Sequence, residues 1–375
     1  MKCLTCFGSI GGTGVNAEHG AGLHYFLQCF FPPNQIEKWL DLYSHRFEHP
    51  VFRSFQAELE VVYEEKNMYS DMFAFSLIEK FNENFFRNHP YGQQTLIGTI
   101  DDLKNPSLTK MYDFFTTWYV PNNMALVITG DFNKETVKPM IEAKFGSWKR
   151  KDFPQHKTYI EEPFKGREQV EMKLSPIKLG ILGFRTIPAG HPDEVALSVC
   201  NAVLSNQSET GLLDKMVLNN KMMGAQVMNM PYNDEGASVI LFIPKILGQK
   251  LSSAEELIIN ELKKLKAGEF DDAIIENIKS ELYREHQISM ESNEYRGTTL
   301  AMAFGRNQTI DDLLQYPNRL MAITKEDVLK IANKYYGDNY LAFYSKMGFP
   351  SKKKIDKPDY TPITANGILN VCAKI

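Results

Sequence analysis

A chain of 375 residues is longer than one hydrophobic core ordinarily serves, so two domains are expected. A formal net charge of -4 gives no electrostatic reason for nucleic acid or an anionic membrane as partner, and no apolar run approaches the roughly 20 residues that span a bilayer. Cys3, Cys6, Cys29, Cys200 and Cys372 are odd in number and scattered, which argues against a disulfide framework.

The opening MKCLTCFGSIGG has no long apolar core of the signal-peptide kind. The chain as given therefore reads as soluble, cytoplasmic if complete, with the cell envelope open if a leader was lost. The lone Cys3 and Cys6 pair reads as part of a flexible terminus, not a redox or zinc site. Residues 11–16, GGTGVN, lack the G-x-G-x-x-G spacing of a dinucleotide loop. Residues 23–31, LHYFLQCFF, read as a strand buried on both faces. Pro32 and Pro33 end it, and Asn34 with Glu37 makes a capping pair for a helix running to His49.

On that helix Ile36, Trp39, Leu40, Tyr43 and Phe47 form the buried stripe. His45, Glu48 and His49 spell a literal H-x-x-E-H, but the two imidazoles fall opposite the stripe and Pro50 follows at once. A three-ligand zinc site there would need a carboxylate from another element. We read the motif as a decoy.

Residues 55–71, FQAELEVVYEEKNMYSD, carry a second helical period through Phe52, Phe55, Leu59 and Val62. Glu58 and Glu65 lie seven positions apart, two turns, and project from one line beside that stripe. Spacing alone leaves two readings open, a solvated acidic face or the wall of a cleft. A Phe-rich helix through Phe86 follows, then His89-Pro90-Tyr91-Gly92, a turn assigned to packing. Next come a helix over 107–118, a strand over 124–129, and a helix over 134–145 stopped by Gly146.

Residues 148–166 contain Pro154 and Pro163, show no period and read as a linker. Strands are then expected at 169–174, 179–184 and 237–244, and helices after His191, over 210–221, 253–266 and 271–290. The closing stretch ITKEDVLKIANKYYGDNYLAFY repeats the plan of LTKMYDFFTTWYVPNNMALVI from the first half: hydroxyl cap, helix, aromatic pair, Asn turn, strand. The chain thus divides into a first unit (1–147), the linker, a second unit (167–348) and a tail (349–375).

The strings ELEVVYEEKN, HPYG followed by Ile97-Gly98, and the helix–turn–strand run from Leu108 resemble the insulinase/pitrilysin family of zinc peptidases, which includes the mitochondrial processing peptidases. The resemblance covers about 10–348. It implies an α/β (α+β) fold of two tandem units, each a mostly antiparallel sheet with helices packed on one face, enclosing a cavity. It implies zinc-dependent endoproteolysis of peptide or unfolded polypeptide as the parent activity. Glu65 becomes the third zinc ligand and Glu58 its support, while Asn16 and Ala17 match an edge strand that holds extended substrate. Glu18 and His19 depart from that edge pattern.

HRFEHPVF aligns with a segment of the family that does not bind metal, so the two His ligands and the general base are missing from this chain. The family's substrate-polarising Arg falls on or beside Val217 and its Tyr near Ala225 or Gln226, which the resemblance reads as a degenerate active site. Catalytic zinc needs three protein ligands and an open position, so the chain alone is not expected to bind it. Two readings follow. The chain is an N-terminally incomplete or degenerate peptidase, inactive alone and awaiting an upstream His pair, or a non-catalytic subunit that encloses substrate for an active second subunit.

Overall fold

A computed structural model describes residues 2–19, 25–52 and 55–348, so the tail lies outside the described residues. The first unit runs α1 (Lys2–Ser9), β1 (Thr13–His19), β2 (Tyr25–Phe30), α2 (Ile36–Glu48), α3 (Phe55–Asp71), α4 (Phe73–Phe85), α5 (Pro90–Gln93), α6 (Ile100–Lys104), α7 (Leu108–Trp118) and α8 (Lys134–Phe145). The second runs β3 (Arg167–Ser175), β4 (Leu179–Thr186), α9 (Glu194–Leu204), α10 (Leu212–Leu218), β5 (Gly224–Pro231), β6 (Gly236–Ile243), α11 (Leu251–Ala267) and α12 (Ala273–Glu291), then α13 (Asn293–Gly305), α14 (Ile310–Leu314), α15 (Tyr316–Met321), α16 (Lys325–Tyr335) and β7 (Tyr340–Met347).

The helix limits follow from local chemistry. Ser107 caps α7 by accepting the Lys110 amide, and Asn133 caps α8 by accepting that of Glu135. Thr99 with Asp102, Thr309 with Asp312 and Thr324 with Asp327 form reciprocal capping boxes on α6, α14 and α16. The α11 helix ends on Gly268, whose φ of 74° is the left-handed stop that glycine adopts without strain.

The second unit is built on a five-stranded sheet in the order β3-β7-β4-β6-β5, parallel only between β3 and β7. Side chains alternate along β7 as the pleat requires. Ala342 and Tyr344 join the core under α9, α11, α12 and α16, while Leu341 and Phe343 join a second core under α4 of the first unit. One face of the sheet thus carries its own helices and the other the first unit's Phe-rich helix. Gly183 on β4 makes that approach possible, since a Cβ there would stand 2.6 Å from Phe81 Cζ.

Several expectations are corrected. The Cys3 and Cys6 terminus is helical, with Phe7 buried against Trp39, Leu40 and Tyr43; Cys6 is disulfide-bonded, and Cys200 is a buried thiol. Asn34 does not cap α2, because Pro33–Gln35 form a 3-10 turn that delivers the chain into the helix. The β2 strand is not buried on both faces: Leu27, Gln28 and Cys29 are half-buried, Phe30 is exposed, and β1 is its sole partner among the described residues. Residues 124–129 have no regular secondary structure and enter no sheet among the described residues. Over 210–221 the helix is only α10, and β5 was missed because GAQVMNMP is poor in β-branched and aromatic residues. Residues 148–166 have almost no regular structure, yet Glu161 and Phe164 are buried, so this stretch straps the units together.

Candidate functional site

The α3 helix carries the two acidic residues singled out by spacing. Its buried side is Leu59 and Tyr63, with Phe55 and Val62 half-covered beside Leu103, and the Tyr63 hydroxyl donates to the Leu103 carbonyl at 2.8 Å. Glu58 is exposed in the first turn, and Glu65 is half-buried. At 1.5 Å per residue the two are separated by about 10 Å along the axis. Glu65 Oε1 accepts a 2.7 Å hydrogen bond from Tyr69, one turn on, and this bond pushes the Tyr69 hydroxyl above its ordinary pKa. Tyr69 in turn packs on Phe75 of α4, which fixes the carboxylate's orientation.

Asn16 and Ala17 lie on β1 of the two-stranded β1–β2 ribbon, opposite Gln28 and Leu27. Both are exposed, and Asn16 Oδ1 accepts the Ala17 amide at 3.0 Å. An extended chain docking on that edge would take over an amide now held by a side chain. The geometry fits strand addition.

His45 and His49 stand together on the exposed side of α2, ring centroids 4.9 Å apart, with Glu48 half-buried between them in sequence. Among the described residues no group of three or more His, Cys, Asp or Glu side chains is placed to hold a metal ion. The α3 helix carries Glu58, Glu60, Glu64, Glu65 and Asp71, and among the described residues no imidazole stands with Glu65 in such a group. A donor set of one carboxylate does not fit catalytic zinc.

In the second unit Val217 (α10) and Ala225 and Gln226 (β5) line the same cavity of ≈ 450 Å³, with Asp214, Leu218 and Leu241. The positions matched to the family's polarising pair are therefore near one another, but two bear apolar side chains and the third a neutral amide.

The sequence reading assigned HPYG to packing, and its polar side was missed. His89 is 1% exposed; its Nδ1 accepts the Tyr91 amide, which places the ring proton on Nε2, 3.1 Å from Asp234 Oδ2. His156 Nε2 and the Tyr91 hydroxyl reach the same oxygen at 2.8 and 3.2 Å. Just behind, Glu161 accepts the amides of Arg87, Asn88 and His89 and a 3.0 Å bond from Arg185 Nη2. The cluster joins the first unit, the strap and the second unit. No local signal announces it, because the partners that join its segments are 24 to 145 positions apart.

Burial pushes the His89 imidazole below its ordinary pKa, against the pull of Asp234 and Glu161. Its neutral form is also required by Nδ1, which could not accept the Tyr91 amide if protonated. The unfolded chain then binds the proton more readily, so this contribution is intact above about pH 6.5 and is lost as pH falls below it. The urea midpoint is expected to drop between pH 7 and pH 5, and His89→Gln should flatten that drop. An unchanged slope in the variant would remove His89 as its source.

The comparisons agree with this architecture. A family model described as the peptidase M16 inactive domain matches residues 107–282. The chain is 27% identical over 316 residues to the zinc protease PqqE of Helicobacter pylori (strain ATCC 700392 / 26695), covering 81% of this chain and 69% of that protein. It is 20% identical to the probable inactive metalloprotease YmfF of Bacillus subtilis (strain 168), covering 84% and 70%. Among solved structures, a protease from Helicobacter pylori superposes with a TM-score of 0.80 at 22% identity, over 92% of this chain and 84% of that one. The first half of the periplasmic protease PqqL of Escherichia coli gives 0.74 at 14%, over 92% and 79%. Fold and sequence together define a metallopeptidase-like α/β protein. Over residues 107–282 the chain is similar to the M16 peptidase family, and its fold matches that of M16 peptidase-like proteins.

Among the described residues no helix is long and apolar enough to cross a membrane.

Proposed function

We propose that this chain is the peptide-enclosing part of an M16 peptidase, without hydrolytic activity alone. Glu65 is the one metal ligand it contributes, oriented by Tyr69 and supported by Glu58. The β1 edge at Asn16 and Ala17 holds extended peptide or unfolded polypeptide. The two imidazoles and the general base come from a preceding segment.

The single observation carrying this reading is a helix that presents Glu65, fixed by Tyr69, outside any group of three metal-holding side chains among the described residues. Zinc, once complete ligation is supplied, would activate water for attack on the peptide carbonyl. The second reading, a non-catalytic subunit serving an active partner, is favoured by Val217 and Ala225, which offer nothing to a developing oxyanion. The relatives named as a zinc protease and as an inactive metalloprotease stand on either side of that choice.

The test is an unfolded-peptide panel. Binding without turnover is expected with or without zinc, and Ala17→Pro, which removes an edge amide, should weaken binding by about tenfold, worth roughly 1.4 kcal/mol. Zinc-dependent turnover that disappears in Glu65→Gln would overturn the inactive reading.

A further inference from the structure

One end of the second sheet is apolar and basic at once. The β3 and β7 strands finish there and β4 starts there, since Ser175 pairs with Met347 and Leu179 with Ser345. The β6 strand finishes and β5 starts at the same end, where Gly180 pairs with Phe242 and Gly224 with Ile243. Ile246 and Leu247, on the turn after β6, are 65% and 89% exposed. Ile177, Leu218, Met223 and Met347 are also exposed on the neighbouring turns and strand ends.

The turn over 244–250 has a defined shape. Gln249 Oε1 accepts the Lys245 amide at 2.6 Å, and Gln249 Nε2 donates to the Lys221 carbonyl at 3.0 Å, which ties this turn to the one ahead of β5. Gly248, at φ 80°, brings the chain back without strain. Ile246 and Leu247 therefore form a fixed tip held in water, where they add nothing to the core of their own chain.

The charge of this end is one-sided. Residues 171–178, 215–224, 244–251 and 346–348 contain seven lysines and one acid, Glu171, which Lys346 neutralises at 2.6 Å. Lys215, Lys221, Lys245 and Lys250, on the two turns that carry the tip, are exposed and make no ion pair among the described residues. Asp214 is buried and accepts the amides of Asn206 and Gly211, while Glu209 lies to one side, on the cavity that Leu218 also lines. The chain leaves this end through Gly348, and Lys352, Lys353 and Lys354 follow in the sequence. The net charge of -4 for the whole chain conceals this local excess.

We propose that this end of the second sheet docks on an anionic phospholipid bilayer, with Ile246 and Leu247 entering the boundary between headgroups and acyl chains and the lysines meeting lipid phosphates. An exposed apolar tip is satisfied by an apolar layer, and unpaired lysines by anions. Long lysine stems let the ammonium groups stay at the phosphates while the tip is immersed. A second copy of the chain is disfavoured as the occupant, because two such ends would set lysine against lysine. The docking surface is independent of the peptidase reading, since it uses neither α3 nor the β1 edge.

Co-sedimentation of the full 375-residue chain with vesicles tests this. Binding to mixed phosphatidylglycerol and phosphatidylcholine vesicles is expected to exceed binding to phosphatidylcholine alone by about tenfold or more, and to weaken as salt is raised. Lys245→Gln combined with Lys250→Gln should weaken it by about 30-fold, and Ile246→Ser combined with Leu247→Ser by about tenfold. Neither pair should change Tm, because all four side chains are exposed. Leu247→Trp should show a blue-shifted emission on the mixed vesicles and none on phosphatidylcholine.

Absence of binding to the mixed vesicles, equal binding to both kinds, or binding that survives both double substitutions overturns the proposal. So does a dimer in sedimentation velocity that Ile246→Ser with Leu247→Ser dissociates, which would assign the tip to a second copy.

Discussion

Glu161→Ala is expected to destabilise the chain by about 3–5 kcal/mol, because it breaks a buried ion pair from one side. Glu161 is 8% exposed, and its two oxygens receive three consecutive amides and the Arg185 guanidinium. Arg185 lies against the rings of Phe85 and Phe164, 4.8 and 4.7 Å from their centroids, with Nε and Nη1 buried and without a hydrogen-bond partner among the described residues. Burial already holds its pKa below the ordinary guanidinium value, against the pull of Glu161, so loss of the carboxylate strands a charge in an aromatic slot. Urea unfolding measures this directly, and Glu161→Gln, which keeps the acceptor oxygen, should fall between wild type and alanine. A loss near zero would mean that the strap does not bind the units.

Phe85→Ala is expected to cost about 3–5 kcal/mol through the cavity it leaves. Phe85 is fully buried at the meeting of the two units, with its ring 5.2 Å from Phe81, 4.9 Å from Phe86 and 5.4 Å from Phe164. It also stands over Gly183, where α4 touches the sheet. The two units should therefore melt as one transition in wild type and separate into two in the variant. Calorimetry distinguishes these outcomes, and a single unchanged transition would contradict the shared core.

Much of this was readable in the sequence where the signal is local. The α8 helix runs from Lys134 to Phe145 as expected, because Asn133 and Gly146 are explicit start and stop residues. The repeat was legible because Thr324 and Asp327 cap α16 as the pattern implied. What the sequence could not show depends on partners distant along the chain. Residues 124–129 have the composition of a strand, but strand status needs neighbours, and among the described residues they have none. The same absence explains why β2 is only half-buried despite its aromatic density.

The candidate site divides in the same way. The helical spacing of Glu58 and Glu65 was visible, while the Tyr69 contact that orients Glu65 depends on Phe75 of the next helix. The His89, Asp234 and His156 cluster was invisible because three separate segments build it.

A lone oriented carboxylate cannot retain a catalytic metal, and elemental analysis of the purified 375-residue chain asks this most directly. After zinc loading and gel filtration the metal should be lost. One tightly retained zinc per chain, released by His45→Ala or His49→Ala, would contradict the account and move the metal site from α3 to α2.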